Sequence, residues 1–290
     1  MQSKQITTVS NSDPIYPSKL KQLADPPAQL YVSGASVDSW IHLPKVGIVG
    51  SRKVSSYGRI VTERLARELA GQGVVIISGL ALGVDSIAHQ AALDVGGVTV
   101  AVLPGPVETI YPRSHEGLGR RIETSGGTLV SEYASIQKEA FKLNFIARNR
   151  IVAALSDVLI ITEAAEKSGS LHTAHFALEI GRDIGAVPGN ITSPTSIGCN
   201  NLIKTGATPI TSSQDVLNML HLEISPVATR IRGANEQEQA ILELLIAGVA
   251  DGDELQIKSE LPIHIYNQTL TMLEITGKIR SLGANQWAVR

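Results

Sequence analysis

The stretch KEAFKLNFIARNR, residues 138–150, is the densest run of chemistry-bearing side chains in the sequence. Two of the chain's three phenylalanines, Phe141 and Phe145, stand there among Lys138, Lys142, Arg148 and Arg150, against the single acid Glu139. Cations interleaved with aromatic rings suit single-stranded nucleic acid. The cations hold phosphates, and each ring stacks on an exposed base for about 1–3 kcal/mol. The same spacing also describes a core helix that starts at Phe145 and Ile146 with its charges on a solvated face. Spacing alone leaves both readings open. A second stretch, TEAAEKSGSLHTAHFALE (162–179), puts Lys167-Ser168-Gly169-Ser170 just before a helical segment. An ammonium and the first N–H groups of a helix suit a phosphate, and Ser168 or Ser170 would serve equally as plain helix caps.

These stretches are set among short apolar, β-branched runs: VGIV (46–49), VVII (74–77), VTVAV (98–102), TLV (128–130), DVLII (157–161), IGAV (184–187) and TPI (208–210). Between the first two runs, Val61, Leu65 and Leu69 recur every four residues, as on one helix face. Strands alternating with helices predict an extended Rossmann-like α/β core, a mostly parallel sheet with helices on both faces. Ligands of such sheets bind beyond the carboxyl ends of the strands. Each run here is followed by small and polar residues, among them Gly50-Ser51-Arg52-Lys53, Ser78-Gly79-Leu80, Leu103-Pro104-Gly105-Pro106, Ser131-Glu132-Tyr133 and Pro188-Gly189-Asn190. Such residues are ordinary in any single βα turn. Six loops of this kind with cations among them read as a phosphate-accepting crevice. No G-x-G-x-x-G follows the first run and no Walker A sequence occurs. Arg52 instead stands where a dinucleotide fold has a glycine, and a guanidinium there suits a phosphate diester.

Other pairings read as structural. His172 and His175 are three apart with no third metal ligand nearby. Asp85 and His89 are four apart, which fits a helix-stabilising contact better than an acid–base pair. No nucleophile elbow or paired-carboxylate motif assembles, so no catalytic residues, metal or cofactor are expected.

The first 44 residues are punctuated by Pro14, Pro17, Pro26 and Pro27 and read as a lead-in packed on the core at 45–222. Residues 223–237 are polar and read as a linker. From 238 the pattern is three short helices (Glu238–Ala247, a second, and one near Tyr266–Thr276) and a closing hairpin, a small winged-helix domain. The chain has 25 Lys and Arg against 27 Asp and Glu, so any nucleic-acid site must come from local clustering. Residues 223–290 hold 6 basic and 9 acidic residues. That balance predicts a protein contact or a regulatory role for the winged helix rather than tight duplex binding. Cys199 is the single cysteine and reads as a small buried residue. The polar N-terminus and the lack of a long apolar run predict a cytoplasmic protein with no membrane partner.

Several motifs occur together and in order: VGIVGSRKVSSYG (46–58), ISGLALGVDSIAHQAAL (77–93), TVAVLPGPVETIYPRSH (99–115), LVSEY (129–133) and the long run from NFIARNR through KTGA (144–207). Over about 160 residues the chain resembles the DprA/Smf family, and the lead-in DPIYPSKLKQLADPPAQLYVSG (13–34) is also similar. The resemblance implies a single-stranded-DNA-binding, homodimeric protein without established catalysis, which loads the RecA recombinase on incoming DNA in natural transformation. It implies that Arg52 of the Gly50-Ser51-Arg52 loop clamps a phosphate, that Lys142 holds a neighbouring one, and that Phe145 stacks on a base. Arg148, Asn149 and Arg150 of ARNR and Lys167, Ser168, Gly169 and Ser170 would line the same path. Ile146 and Ala147 stand where relatives often have Pro and a basic residue, and 44 residues are too few for the helical domain many relatives carry before the core. The alternative is a Rossmann-like nucleoside-monophosphate phosphoribohydrolase. Those enzymes have a carboxylate three residues after a threonine; with Thr173 as that threonine, the position holds Phe176.

Overall fold

A computed structural model describes residues 6–135, 141–222, 233–283 and 285–289; of Phe141 and Lys142 only the backbone is described. The chain divides into two compact units, Met1–Glu223 and Ile224–Arg290.

The first unit is built from β1 (Ile6–Ser10), β2 (Gln29–Gly34), β3 (Lys45–Val49), α1 (Ser56–Gly71), β4 (Val75–Ser78), α2 (Val84–Asp94), β5 (Thr99–Val102), α3 (Glu116–Thr124), β6 (Thr128–Ser131), α4 (Phe141–Ala147), α5 (Asn149–Leu155), β7 (Val158–Ile161), α6 (Ser170–Glu179), β8 (Asp183–Ala186), α7 (Ile197–Lys204), β9 (Thr208–Pro209) and α8 (Ser213–Met219). The strands form one sheet in the order β1-β2-β6-β5-β4-β3-β7-β8-β9. From β6 to β9 neighbouring strands are parallel. All seven apolar runs are strands. The central ones are short and buried on both faces, which is why they read as unbroken apolar runs. Successive side chains go to opposite layers: Val75 and Ile77 join one core cluster, Ile76 the other. On α1, Leu65 and Leu69 are buried with Thr62 and Ala66, and Val61 is half-buried beside them.

The lead-in does more than pack on the core. It supplies β1 and β2, and β2 pairs antiparallel with β6 at the edge of the parallel sheet. Between these strands Tyr16, Leu20 and Leu23 are buried in the main cluster, and the Tyr16 hydroxyl donates to the Pro27 carbonyl at 2.6 Å. Trp40 is buried with its indole N–H donating to Thr128 Oγ1 at 3.0 Å.

The second unit contains α9 (Glu236–Ile246), α10 (Gly252–Ser259), α11 (Ile263–Ile275), β10 (Ile279–Gly283) and β11 (Gln286–Val289), the last two an antiparallel hairpin. Its own core includes Ile241, Leu242, Leu255, Tyr266, Leu273 and Ile279. Three helices and a hairpin make the expected winged helix, with the first helix starting two residues before the expected 238. Asp251 caps α10, accepting from the N–H groups of Asp253 and Glu254 at 3.0 and 3.1 Å. Much of the expected linker, 223–232, lies outside the described residues. Among the described residues no helix is long and apolar enough to cross a membrane.

Candidate functional site

The strand order reverses at β3. The chain runs from β3 to β6 in one direction, then returns to set β7 on the other side of β3. Loops leaving β3 and β7 therefore part from each other and open a crevice. A cleft of about 610 Å³ lies there, walled by Gly50–Lys53 after β3, by Phe145, Ile146, Arg148 and Asn149, and by Ala165, Ser168, Gly169 and Ser170 after β7.

The β3 loop is held from β7. Ser51 N–H donates to the Glu163 carbonyl at 2.8 Å. The Glu163 carboxylate, itself buried, accepts from Ser55 N–H at 3.1 Å and from the Ser55 hydroxyl. Ser55 in turn caps α1, accepting from Gly58 N–H at 3.0 Å. On the other side the Ser51 carbonyl accepts from Val84 N–H at 3.1 Å. Gly83, at φ +80°, makes this possible, because a Cβ there would collide with the Ser51 and Arg52 carbonyls. The loop so fixed presents Arg52 and Lys53 exposed, and the Arg52 guanidinium lies 5.5 Å from the centre of the Phe145 ring. Tyr111 meets the same ring edge-on, at 5.3 Å and 73°.

Of the residues expected at the site, the cleft brings together Gly50, Ser51, Arg52, Phe145, Arg148, Asn149, Ser168, Gly169 and Ser170. Two of the others, Lys167 and Arg150, do not join them in its walls. Lys167 is exposed on the loop beside it. The Lys142 side chain lies outside the described residues. Arg150 turns away from the cleft and pairs with Glu132 at 2.5 Å, both side chains nearly buried.

Arg148 reaches the cleft floor as a bound group rather than an open cation. It is only 3% exposed. Its Nη1 donates to the Gly79 carbonyl at 2.5 Å and to the Val102 carbonyl. Gly79 is required by this approach, since a Cβ there would overlap the guanidinium. Burial pulls the Arg148 pKa down to about 10, with the Asp85 charge opposing the shift. Burial pushes the Asp85 carboxyl up, and the Arg148 charge opposes that in turn. ARNR thus fits neither a solvated helix face nor a row of open cations: its two arginines lock the ends of β4, β5 and β6.

Asp85 and His89 do not contact each other as an i, i+4 pair. Asp85 accepts from Gly79 N–H at 3.0 Å, whereas His89 Nδ1 bonds Thr99 Oγ1 at 2.6 Å. Burial, with the Arg148 charge, lowers the His89 pKa to about 3. The unfolded chain takes up that proton near pH 6.5 and the folded chain near 3, so stability falls as pH drops through that window. Urea unfolding of His89→Gln between pH 6.5 and 4 is expected to show a flatter pH slope than the parent, by up to about 1.4 kcal/mol per pH unit. Parallel slopes would mean His89 titrates alike in both states. His175 pairs with Glu179 at 3.2 Å. Among the described residues no three metal-binding side chains cluster. Cys199 is buried, and burial pushes its thiol up to about 12.

Sequence reasoning put Lys53 and Glu163 in the rim loops without giving either a role, and it passed over Thr195 and Tyr111. Lys53 and Thr195 line the cleft. Lys53 adjoins the arginine that was singled out, and Glu163 is the first acid after β7, so position could have flagged both.

Residues 7–221 match the family model described as DNA recombination-mediator protein A, and residues 225–285 match the DprA winged helix domain. The chain belongs to the DprA/Smf family of DNA-processing proteins. It is 42% identical over 205 residues to protein Smf of Escherichia coli, covering 71% of this chain and 54% of that protein. It is 41% identical over 205 residues to the DNA processing protein DprA of Streptococcus pneumoniae, covering 71% of each. The X-ray structure of the pneumococcal protein superposes with a TM-score of 0.68, at 39% identity over 77% of this chain and 76% of that one. DNA processing protein A of Helicobacter pylori, whose structure is described in terms of its single-stranded-DNA-binding mode, gives 0.65 at 35% identity over 76% of this chain and 97% of that one.

Proposed function

We propose that the cleft binds single-stranded DNA without regard to base sequence, and that the protein protects this DNA and delivers it to the RecA recombinase in recombination and natural transformation. The observation that carries the reading is the Arg52 guanidinium over the Phe145 ring, in a cleft whose walls also hold Lys53, Gly50, Gly169 and the hydroxyls of Ser51, Ser168 and Ser170. A cation for phosphate beside a ring for a base is the pairing single strands need, and neither selects a sequence. The likeness to the Helicobacter protein supports the same ligand. Delivery to RecA, homodimerisation and a cytoplasmic setting rest on family membership. Lys142 and Lys167 serve in this reading as flanking phosphate contacts.

The winged helix fits a protein-contacting or regulatory role. The exposed side of α11 carries Ile263, His264, Gln268, Met272 and Ile275, and the helix holds no Lys or Arg. A helix that reads duplex DNA needs cations for the phosphates. The phosphoribohydrolase alternative is disfavoured by Phe176, which packs half-buried on the core cluster where that chemistry needs a carboxylate. The protein acts in this reading by binding rather than catalysis.

Phe145→Ala is expected to weaken oligo-dT binding by about 1–3 kcal/mol, roughly 5- to 150-fold, read by fluorescence anisotropy. Unchanged affinity in a folded variant would remove the ring from the site.

A further inference from the structure

We infer that Tyr111 is a second base-stacking platform, which carries the path of the single strand out of the cleft and over the carboxyl end of β5. The inference rests on the single-stranded-DNA reading of the cleft and extends it to a residue outside the cleft walls.

Tyr111 sits in the loop that leaves β5, and that loop is tightly anchored. Val107 and Ile110 are buried in the cluster that holds Leu103 and Ile122. The Asn144 side-chain amide donates to the Pro104 carbonyl at 3.2 Å, and the His115 ring bonds the Leu80 carbonyl at 2.9 Å. Beside the buried Ile110, Tyr111 is nevertheless 48% exposed. An anchored backbone with a half-exposed ring gives a stacking surface whose position costs little entropy to fix on binding.

Its neighbours give the ring a direction. Phe145 is engaged by the Arg52 guanidinium and by Tyr111, and it is the more buried of the two rings. The series Arg52, Phe145, Tyr111 therefore leads from the β3 loop toward β5. Arg113, two residues further on, is exposed and supplies a cation for a phosphate beyond the stacked base. Cations alternating with rings along one edge repeat the pattern that suits a single strand.

The test is anisotropy with ~20-nucleotide oligo-dT and with a fully abasic oligonucleotide of the same length, at several salt concentrations. The proteins are the parent, Tyr111→Leu, Tyr111→Trp and Arg52→Glu. Stacking predicts that Tyr111→Leu weakens oligo-dT binding roughly 5- to 100-fold while Tyr111→Trp stays near the parent. On abasic DNA the three bind alike, and the salt slope of Tyr111→Leu equals the parent's, because no phosphate contact is lost. Equal binding of oligo-dT by Tyr111→Leu and the parent overturns the inference. So does an equal loss on abasic DNA, which would make Tyr111 a prop for the loop. In both cases Arg52→Glu still loses affinity and the cleft reading stands. If the parent itself binds neither oligonucleotide, the cleft reading falls and this one with it.

Discussion

Arg52→Glu lowers affinity for ~20-nucleotide oligo-dT by at least roughly 50-fold at ~150 mM salt and leaves the unfolding midpoint unchanged. Arg52 is exposed and its guanidinium lies over the face of Phe145, so its replacement leaves the buried core intact. A charge-assisted hydrogen bond to phosphate contributes about 1.5–3 kcal/mol, and a carboxylate in its place adds repulsion. Arg52→Ala gives a second signature. Losing one phosphate contact on a single strand reduces the slope of log K against log salt by about 0.7. Anisotropy across a salt series reads both, and thermal unfolding reads the fold. Parent-like affinity in Arg52→Glu would move the DNA away from the cleft.

Arg148→Met is expected to act on the other quantity, destabilising the protein by roughly 3–5 kcal/mol. Removing the guanidinium leaves the Gly79 and Val102 carbonyls without its bonds and the buried Asp85 without its counter-charge. The cost comes from the two buried carbonyls left without a donor and from the loss of the positive charge beside the buried Asp85. Adding Asp85→Asn to Arg148→Met should therefore recover part of the loss, a coupling that a double-mutant cycle in urea measures directly. A stable Arg148→Met that fails only to bind DNA would make Arg148 a phosphate ligand instead of a tie between strand ends.

The contrast between these arginines marks what a sequence can carry. Arg52 follows a strand in a short glycine loop, and the rule for open α/β sheets is enough to put it at the crevice. Arg148 and Arg150 sit in a cation-rich run, but their partners are distant in sequence: Gly79 and Val102 lie 69 and 46 residues from Arg148, and Glu132 lies 18 from Arg150. Local pattern cannot tell a cation that waits for phosphate from one that already has carbonyls. Asp85 and His89 teach the same point, since i, i+4 spacing permits a contact that the pull of Gly79 and Thr99 prevents.

The strands divide in the same way. β3 to β8 are legible because buried parallel strands are nearly all apolar. ITTVS and QLYVSG, the antiparallel strands β1 and β2 added beside β6, carry exposed polar residues and stand among prolines, so they gave no such run. Tyr111 was passed over because nothing local separates a ring held out by an anchored loop from any loop tyrosine. Only its contact with Phe145 does so.

The most direct test of the central claim is the parent chain with oligo-dT and with a mixed-sequence oligonucleotide over a salt series. Binding should be nearly independent of sequence and should fall linearly in log salt, by about 0.7 per phosphate neutralised. No binding at low salt, or binding that ignores salt, would contradict the assignment of the cleft to single-stranded DNA.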